Sequence, residues 1–112
     1  MLDIWIVTDT YDYETHCFSH ITESGARKNA IERIVSILNV HHCQDEMVQF
    51  LGDAGIRIKY LPEDGGDPGI DFEGMELEDL RNSYQHLASQ HWDISNFSDV
   101  GCVEVEHTRL QP

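Results

Sequence analysis

The chain has 112 residues, 40% of them hydrophobic, and its 21 acidic residues against 7 lysines and arginines give a formal net charge of −14. This length suits one domain with a modest core, and the clustered apolar residues, with Trp5 and Trp92 among them, argue against intrinsic disorder despite the charge. A surface this negative disfavours direct contact with nucleic acid or anionic membranes, and no run nears the roughly 20 apolar residues of a membrane span.

Met1-Leu2-Asp3-Ile4-Trp5 lacks a basic stretch, so no secretory signal is expected. Cys17, Cys43 and Cys102 are an odd count without paired spacing, which fits reduced thiols in a cytoplasm better than a disulfide framework. Ile4 to Thr8 is a short apolar, β-branched run that reads as a strand buried on both faces. A turn over Asp9 to Tyr13 leads to a second strand, Thr15 to Thr22, forming a hairpin with the first. Phe18 shares one face with His16 and His20, while Cys17 and Ile21 take the other.

Ser24 is the expected N-cap of a helix reaching about Asn39. Ala26, Ala30, Ile31, Ile34, Val35 and Leu38 make its apolar stripe. That start puts Arg27 and Lys28 in the first turn, where the helix dipole disfavours cations. A shorter helix spans Gln44 to about Leu51, stopped by Gly52 and Gly55. Ile56, Ile58 and Tyr60 alternate with Arg57 and Lys59 as in a half-buried strand.

An acidic loop punctuated by Gly65, Gly66, Pro68 and Gly69 follows. A third helix then runs from about Met75 to His91, with Leu77, Leu80, Tyr84, Leu87 and Ala88 inward and Glu76, Glu78 and Asp79 favourably placed in its first turn. Val100 to Leu110 closes the chain as a strand with Val103 and Val105 on one face. The expected class is α+β: a mostly antiparallel sheet of about four strands with two to three helices on one face, in a single domain over residues 1–112.

The dominant chemical feature lies between Pro62 and Leu80. Glu63, Asp64, Asp67, Asp71, Glu73, Glu76, Glu78 and Asp79 fall there without one lysine or arginine. A merely soluble surface mixes both signs, and self-repulsion of this size opposes compaction. The segment therefore points to a cationic counterpart. Asp64, Asp67, Asp71, Glu73, Glu76 and Asp79 are the expected partner-binding carboxylates, acting as phosphate surrogates opposite Lys/Arg side chains. Tyr11, Tyr13 and Phe72 are the expected exposed aromatic anchors.

Other chemistries are weaker in the residue pattern. Asp64 to Asp71 is oxygen-rich with glycine turns but does not follow the calcium-loop order of ligands. His16, Cys17, His20, His41, His42 and Cys43 would make a zinc site only if the second strand met the end of the first helix; no known zinc spacing is present. A Cys–His pair built on Cys17 or Cys43 needs only spatial adjacency, yet no nucleophile-elbow, phosphate-loop or nucleotide fingerprint occurs. The expectation is a non-enzymatic protein without cofactor or resident metal. The alternatives are a zinc-binding protein using those clusters and an acidic regulatory module. Protonating all seven histidines below about pH 6 would move the charge from −14 toward −7 and weaken an electrostatic attachment.

Ile4-Trp5-Ile6-Val7-Thr8, a polar turn, a strand, then Ser24-Gly25-Ala26-Arg27-Lys28-Asn29-Ala30 entering a helix, with Val103-Glu104-Val105-Glu106 near the end, resembles small phage- and plasmid-encoded proteins. Size and acidity are similar to anti-CRISPR and anti-restriction proteins, several of which are nucleic-acid mimics. The likeness covers about the first 40 residues and the last ten, in pattern only, and carries no functional residue. It implies a phage-encoded inhibitor in the host cytoplasm, docking on a basic nucleic-acid-binding protein or CRISPR effector complex and blocking DNA access. The chain departs from extreme mimics in keeping 7 basic residues and a substantial core.

Overall fold

The computed structural model describes residues 2–11, 14–90 and 102–110. The elements run β1 (Leu2–Tyr11), β2 (Glu14–His20), α1 (Glu23–His41), α2 (Gln44–Asp53), β3 (Arg57–Tyr60), β4 (Gly69–Asp71), α3 (Leu77–Gln90) and β5 (Cys102–Leu110). The class is α+β and the pairing is antiparallel throughout. The strands divide into two sheets rather than forming one: β2-β1-β5 and β3-β4.

In the larger sheet, Val7 pairs with Phe18 on one side and with Val105 on the other, and Asp9 pairs with His16 and Val103. Period-two alternation then puts Trp5, Val7, Asp9, His16, Phe18, Val103 and Val105 on one face. That face meets α1, and Val7, Asp9 and Val103 are buried there. The opposite face of β1 is only half-covered, and Leu2 on it is exposed. The expected burial on both faces of β1 is thus corrected to one.

Helix α1 is the hub, touching all three strands of this sheet as well as α2 and α3. Ala26, Ala30, Ile31, Ile34, Val35, Ile37 and Leu38 are all buried. Ile37 lies off the single expected stripe because α1 is covered from more than one side. Each fully buried Ile or Leu contributes about 2 kcal/mol relative to exposure.

Thr22, not Ser24, caps α1: its backbone is extended and its hydroxyl accepts from Gly25 N at 3.0 Å. The earlier start moves Arg27 into the second turn, four residues after Glu23, whose carboxylate it approaches at 3.3 Å. The apparent clash of cations with the helix dipole therefore disappears. Helix α2 runs through Gly52 to Asp53, with Ala54 as its C-cap and Gly55 just beyond at φ +76°. Gly55 N bonds Gly52 O at 3.0 Å and Ile56 N bonds Leu51 O at 2.8 Å, the paired bonds of a left-handed C-terminal cap.

In β3 the alternation breaks. Ile56 is buried and Ile58 partly so, but a register irregularity between Ile58 and Tyr60 turns Tyr60 outward, leaving it 59% exposed. Helix α3 packs on α1 through its buried Leu80 and Leu87, and starts two residues later than expected. Its expected end at His91 and the expected start of the last strand at Val100 lie outside the described residues, as do Tyr13 and Trp92.

Candidate interaction surface

The acidic segment is a built structure rather than a plain loop. Asp64 Oδ1 accepts from Gly66 N at 3.0 Å, closing a turn on its own backbone. Asn39, near the end of α1, donates from Nδ2 to Gly65 O at 3.1 Å and to Asp67 Oδ1 at 3.2 Å. Gly69-Ile70-Asp71 then forms β4 against β3, where a loop was expected. Gly69 is needed at that point because a Cβ there would run into the Tyr60 ring.

Asp71 Oδ1 accepts from Glu73 N at 2.9 Å, and its other oxygen lies 3.8 Å from Arg57 Nη2. Arg57 also donates to Glu73 O. At the head of α3, Asp79 Oδ2 accepts from Glu76 N at 2.9 Å, the reach of a helix-start carboxylate toward an unpaired backbone donor. Asp64, Asp67, Asp71 and Asp79 therefore hold backbone or amide donors. The side chains of Glu63, Glu73 and Glu76 are exposed, with no hydrogen bond or ion pair among the described residues. Arg57 is the single cation bridged to any carboxylate of this segment among the described residues.

The expected aromatic anchors fare differently. Phe72 is a half-buried ring packed on the core, with Lys28 Nζ 5.9 Å from its centroid, so it is not an exposed anchor. Tyr11 contributes backbone to β1, while its side chain and all of Tyr13 lie outside the described residues. The aromatic side chain that does stand exposed beside the acids is Tyr60, which the alternation of β3 had assigned inward.

The histidine and cysteine clusters stay apart. His16 Nδ1 sits 3.0 Å from Asp9 Oδ1 and His20 Nε2 3.0 Å from Asn29 Oδ1. His42 lies at the far end of α1, 3.4 Å from Glu46. The helix between Asn29 and His41 measures roughly 18 Å at 1.5 Å per residue. Among the described residues no group of three or more His, Cys, Asp or Glu side chains is placed to hold a metal ion. The acids at 64, 67 and 71 likewise point to different partners instead of a common centre.

Cations are spent elsewhere. Asp9 is fully buried beneath the sheet and takes Arg33, which stacks on Phe18 at 5.5 Å, as well as His16. Glu23 receives Arg81 in a two-point contact at 2.7 and 2.5 Å, plus Arg27. Hydrogen bonds from Arg81 hold the Glu23 carboxyl below the ordinary glutamate range. Partial desolvation pushes the Glu32 carboxyl above it, although the residue stays exposed.

Two concavities meet at Pro68. The larger, about 560 Å³, has Asn39, His42, Leu61, Pro62, Glu63 and Pro68 among its walls. The smaller, about 250 Å³, is bounded by Glu32, Val35, Tyr60, Asp67, Pro68 and Ile70 with Gly69. Comparison with known protein families, curated proteins and solved structures gave no match. No helix among the described residues is long and apolar enough to cross a membrane.

Proposed function

We propose that this protein is a non-enzymatic docking protein that meets a cationic, nucleic-acid-binding surface on another protein and blocks access of DNA to it. The observation that carries the reading is how the acidic segment is held. Four of its eight carboxylates, Asp64, Asp67, Asp71 and Asp79, are positioned by backbone N–H groups and the Asn39 amide, donors that fix geometry without cancelling negative charge. Among the described residues only Asp71 also meets a cation, Arg57. Bonds of this kind are ordinary in turns and helix starts. The support for docking is that they hold the acids in place and leave their charge facing outward, where preset charges steer encounter and discriminate between partners. In the setting that the sequence resemblance suggests, the partner is a defence complex, and the protein acts as an inhibitor or DNA mimic encoded by a phage or mobile element.

The decisive experiment reverses Glu63, Glu73, Glu76 and Glu78 to lysine, because none of them holds the fold through a side-chain hydrogen bond. Proteins captured at low salt by the wild-type chain are eluted with salt and assayed for DNA binding with and without each form. The expected result is that wild type competes with DNA and the reversed variant does not. Undiminished competition by the folded variant, or a captured set with no affinity for DNA, overturns the proposal.

A further inference from the structure

Glu32, Val35, Asn39 and His42 recur at intervals of three, four and three residues, so they lie along one face of α1. The chain from Tyr60 to Pro68 forms the facing wall, tethered to Asn39 through Gly65 and Asp67. Both concavities open along this line and share Pro68. Neither is lined by a lysine or arginine, and Glu32, Glu63 and Asp67 are acidic points along it.

We infer that this groove between α1 and the Tyr60–Pro68 wall receives an extended, basic segment of a partner protein, with one Lys or Arg side chain seated in the smaller concavity. The inference rests on the docking reading above but moves its centre from the acidic string at 71–79 to Glu32, Tyr60, Leu61 and Asp67. Charge complementarity selects the occupant. A second copy of a chain with net charge −14, a nucleic acid or an anionic lipid would all be repelled.

Size selects its form. The smaller concavity, about 250 Å³, falls below the range of small-molecule pockets and suits one long side chain. Its walls match such a chain. Half-buried Ile70, backed by the buried Val35 and Pro68, offers apolar surface to the methylene stem, Tyr60 offers a ring to the cationic head, and Glu32 and Asp67 offer carboxylates. Glu32 has no ion pair among the described residues, and it lies exposed at the edge of the concavity. An entering cation would therefore meet an accessible, uncompensated carboxylate. Along α1 the stretch from Glu32 to His42 measures about 15 Å, the reach of four to five extended residues at about 3.3 Å each. Leu61, 38% exposed, and Pro62 provide apolar contact for the next side chain along.

The test titrates the isotope-labelled full chain with the acetylated, amidated pentapeptide Arg-Leu-Arg-Leu-Arg and, in parallel, with its Glu-Leu-Glu-Leu-Glu counterpart, following backbone amide shifts. The expected result is saturable shifts at Val35, Asn39, Tyr60 and Leu61 with the basic peptide only, weakening between about 0.02 and about 0.3 M salt. E32Q and, separately, L61S are expected to weaken binding about fivefold each, as for central contacts of a small interface. The E73Q/E76Q double variant should stay within about twofold. Shifts confined to residues 71–79, with E73Q/E76Q decisive and E32Q silent, would overturn the groove while leaving a cationic partner standing. Equal binding of the acidic peptide, or failure of the basic peptide to bind although the chain still captures DNA-binding proteins, would also overturn the groove alone. A chain that answers to neither basic peptide nor basic protein would remove both readings.

Discussion

Asp9 and the segment from Glu63 to Asp79 treat negative charge in opposite ways. Asp9 is fully buried, and the fold brings it both Arg33 and His16. The eight carboxylates of the acidic segment share one bridged cation, Arg57, among the described residues. Glu23, nearly buried between α1 and α3, likewise takes two arginines. Of the molecule's seven basic residues, Arg33 lies beneath the sheet and Arg27 and Arg81 between helices, where a bare charge would cost most. The molecule fixes its outer acids with neutral donors instead. The contrast teaches that the surface charge is arranged and left uncompensated, not merely tolerated.

The contrast breaks first at Asp9. D9N leaves the Arg33 guanidinium without its counter-charge, and the expected loss is about 3 kcal/mol in urea unfolding. A loss below that of any acidic-segment variant would void the distinction. E23Q should cost about 1–2 kcal/mol, less because Arg81 is half-exposed and screened.

The same residue sharpens the comparison through pH. Its folded carboxyl titrates below its ordinary value of 4.5, so its stabilisation is complete above that pH and is lost as pH falls through the lowered folded value. Glu32 runs the other way. Its folded carboxyl titrates above 4.5, so ionising it costs stability as pH rises through that window. E23Q should flatten the acid-side fall in unfolding free energy, and E32Q should raise stability at neutral pH.

G69A forces the Tyr60 ring off the hairpin, with an expected cost of about 1 kcal/mol. Because the obstacle is one side chain, the cost should vanish when G69A is measured in a Y60A background. The smallest effect belongs to E73Q/E76Q, expected within about 0.5 kcal/mol of wild type, since nothing in the fold leans on those side chains.

Much of the architecture was legible in the chain. Apolar runs located three helices and most strands, because burial imposes a period on the sequence wherever an element is long. Where the reading failed, the reason is local. Gly69-Ile70-Asp71 is too short for a period, so β4 passed for loop. The register irregularity in β3 reversed Tyr60, a bend that alternation alone cannot announce. Thr22 outcompeted Ser24 as the cap because its extended backbone sets its oxygen against Gly25 N, and that moved Arg27 into a favourable place.

The acidic character of the surface was evident from composition, but the division of labour within it was not. Nothing in the spacing tells Asp67, whose carboxylate Asn39 holds, from Glu73, whose carboxylate has no partner among the described residues. The tether runs between positions 39 and 67, and only three-dimensional closure reveals it. Glu32 carried no local signal either, being one acid on a helix of mixed polarity. Its place on the concavity shared with Tyr60 and Ile70 appears only in three dimensions.

Asn39 decides how this surface meets whatever it meets. By clamping the turn to the helix through a carbonyl and a carboxylate together, a single amide settles the loop's shape at folding rather than at encounter. A ligand docking there, as proposed above, would lose less of its binding free energy to ordering that segment, and replacing Asn39 with alanine would raise that loss.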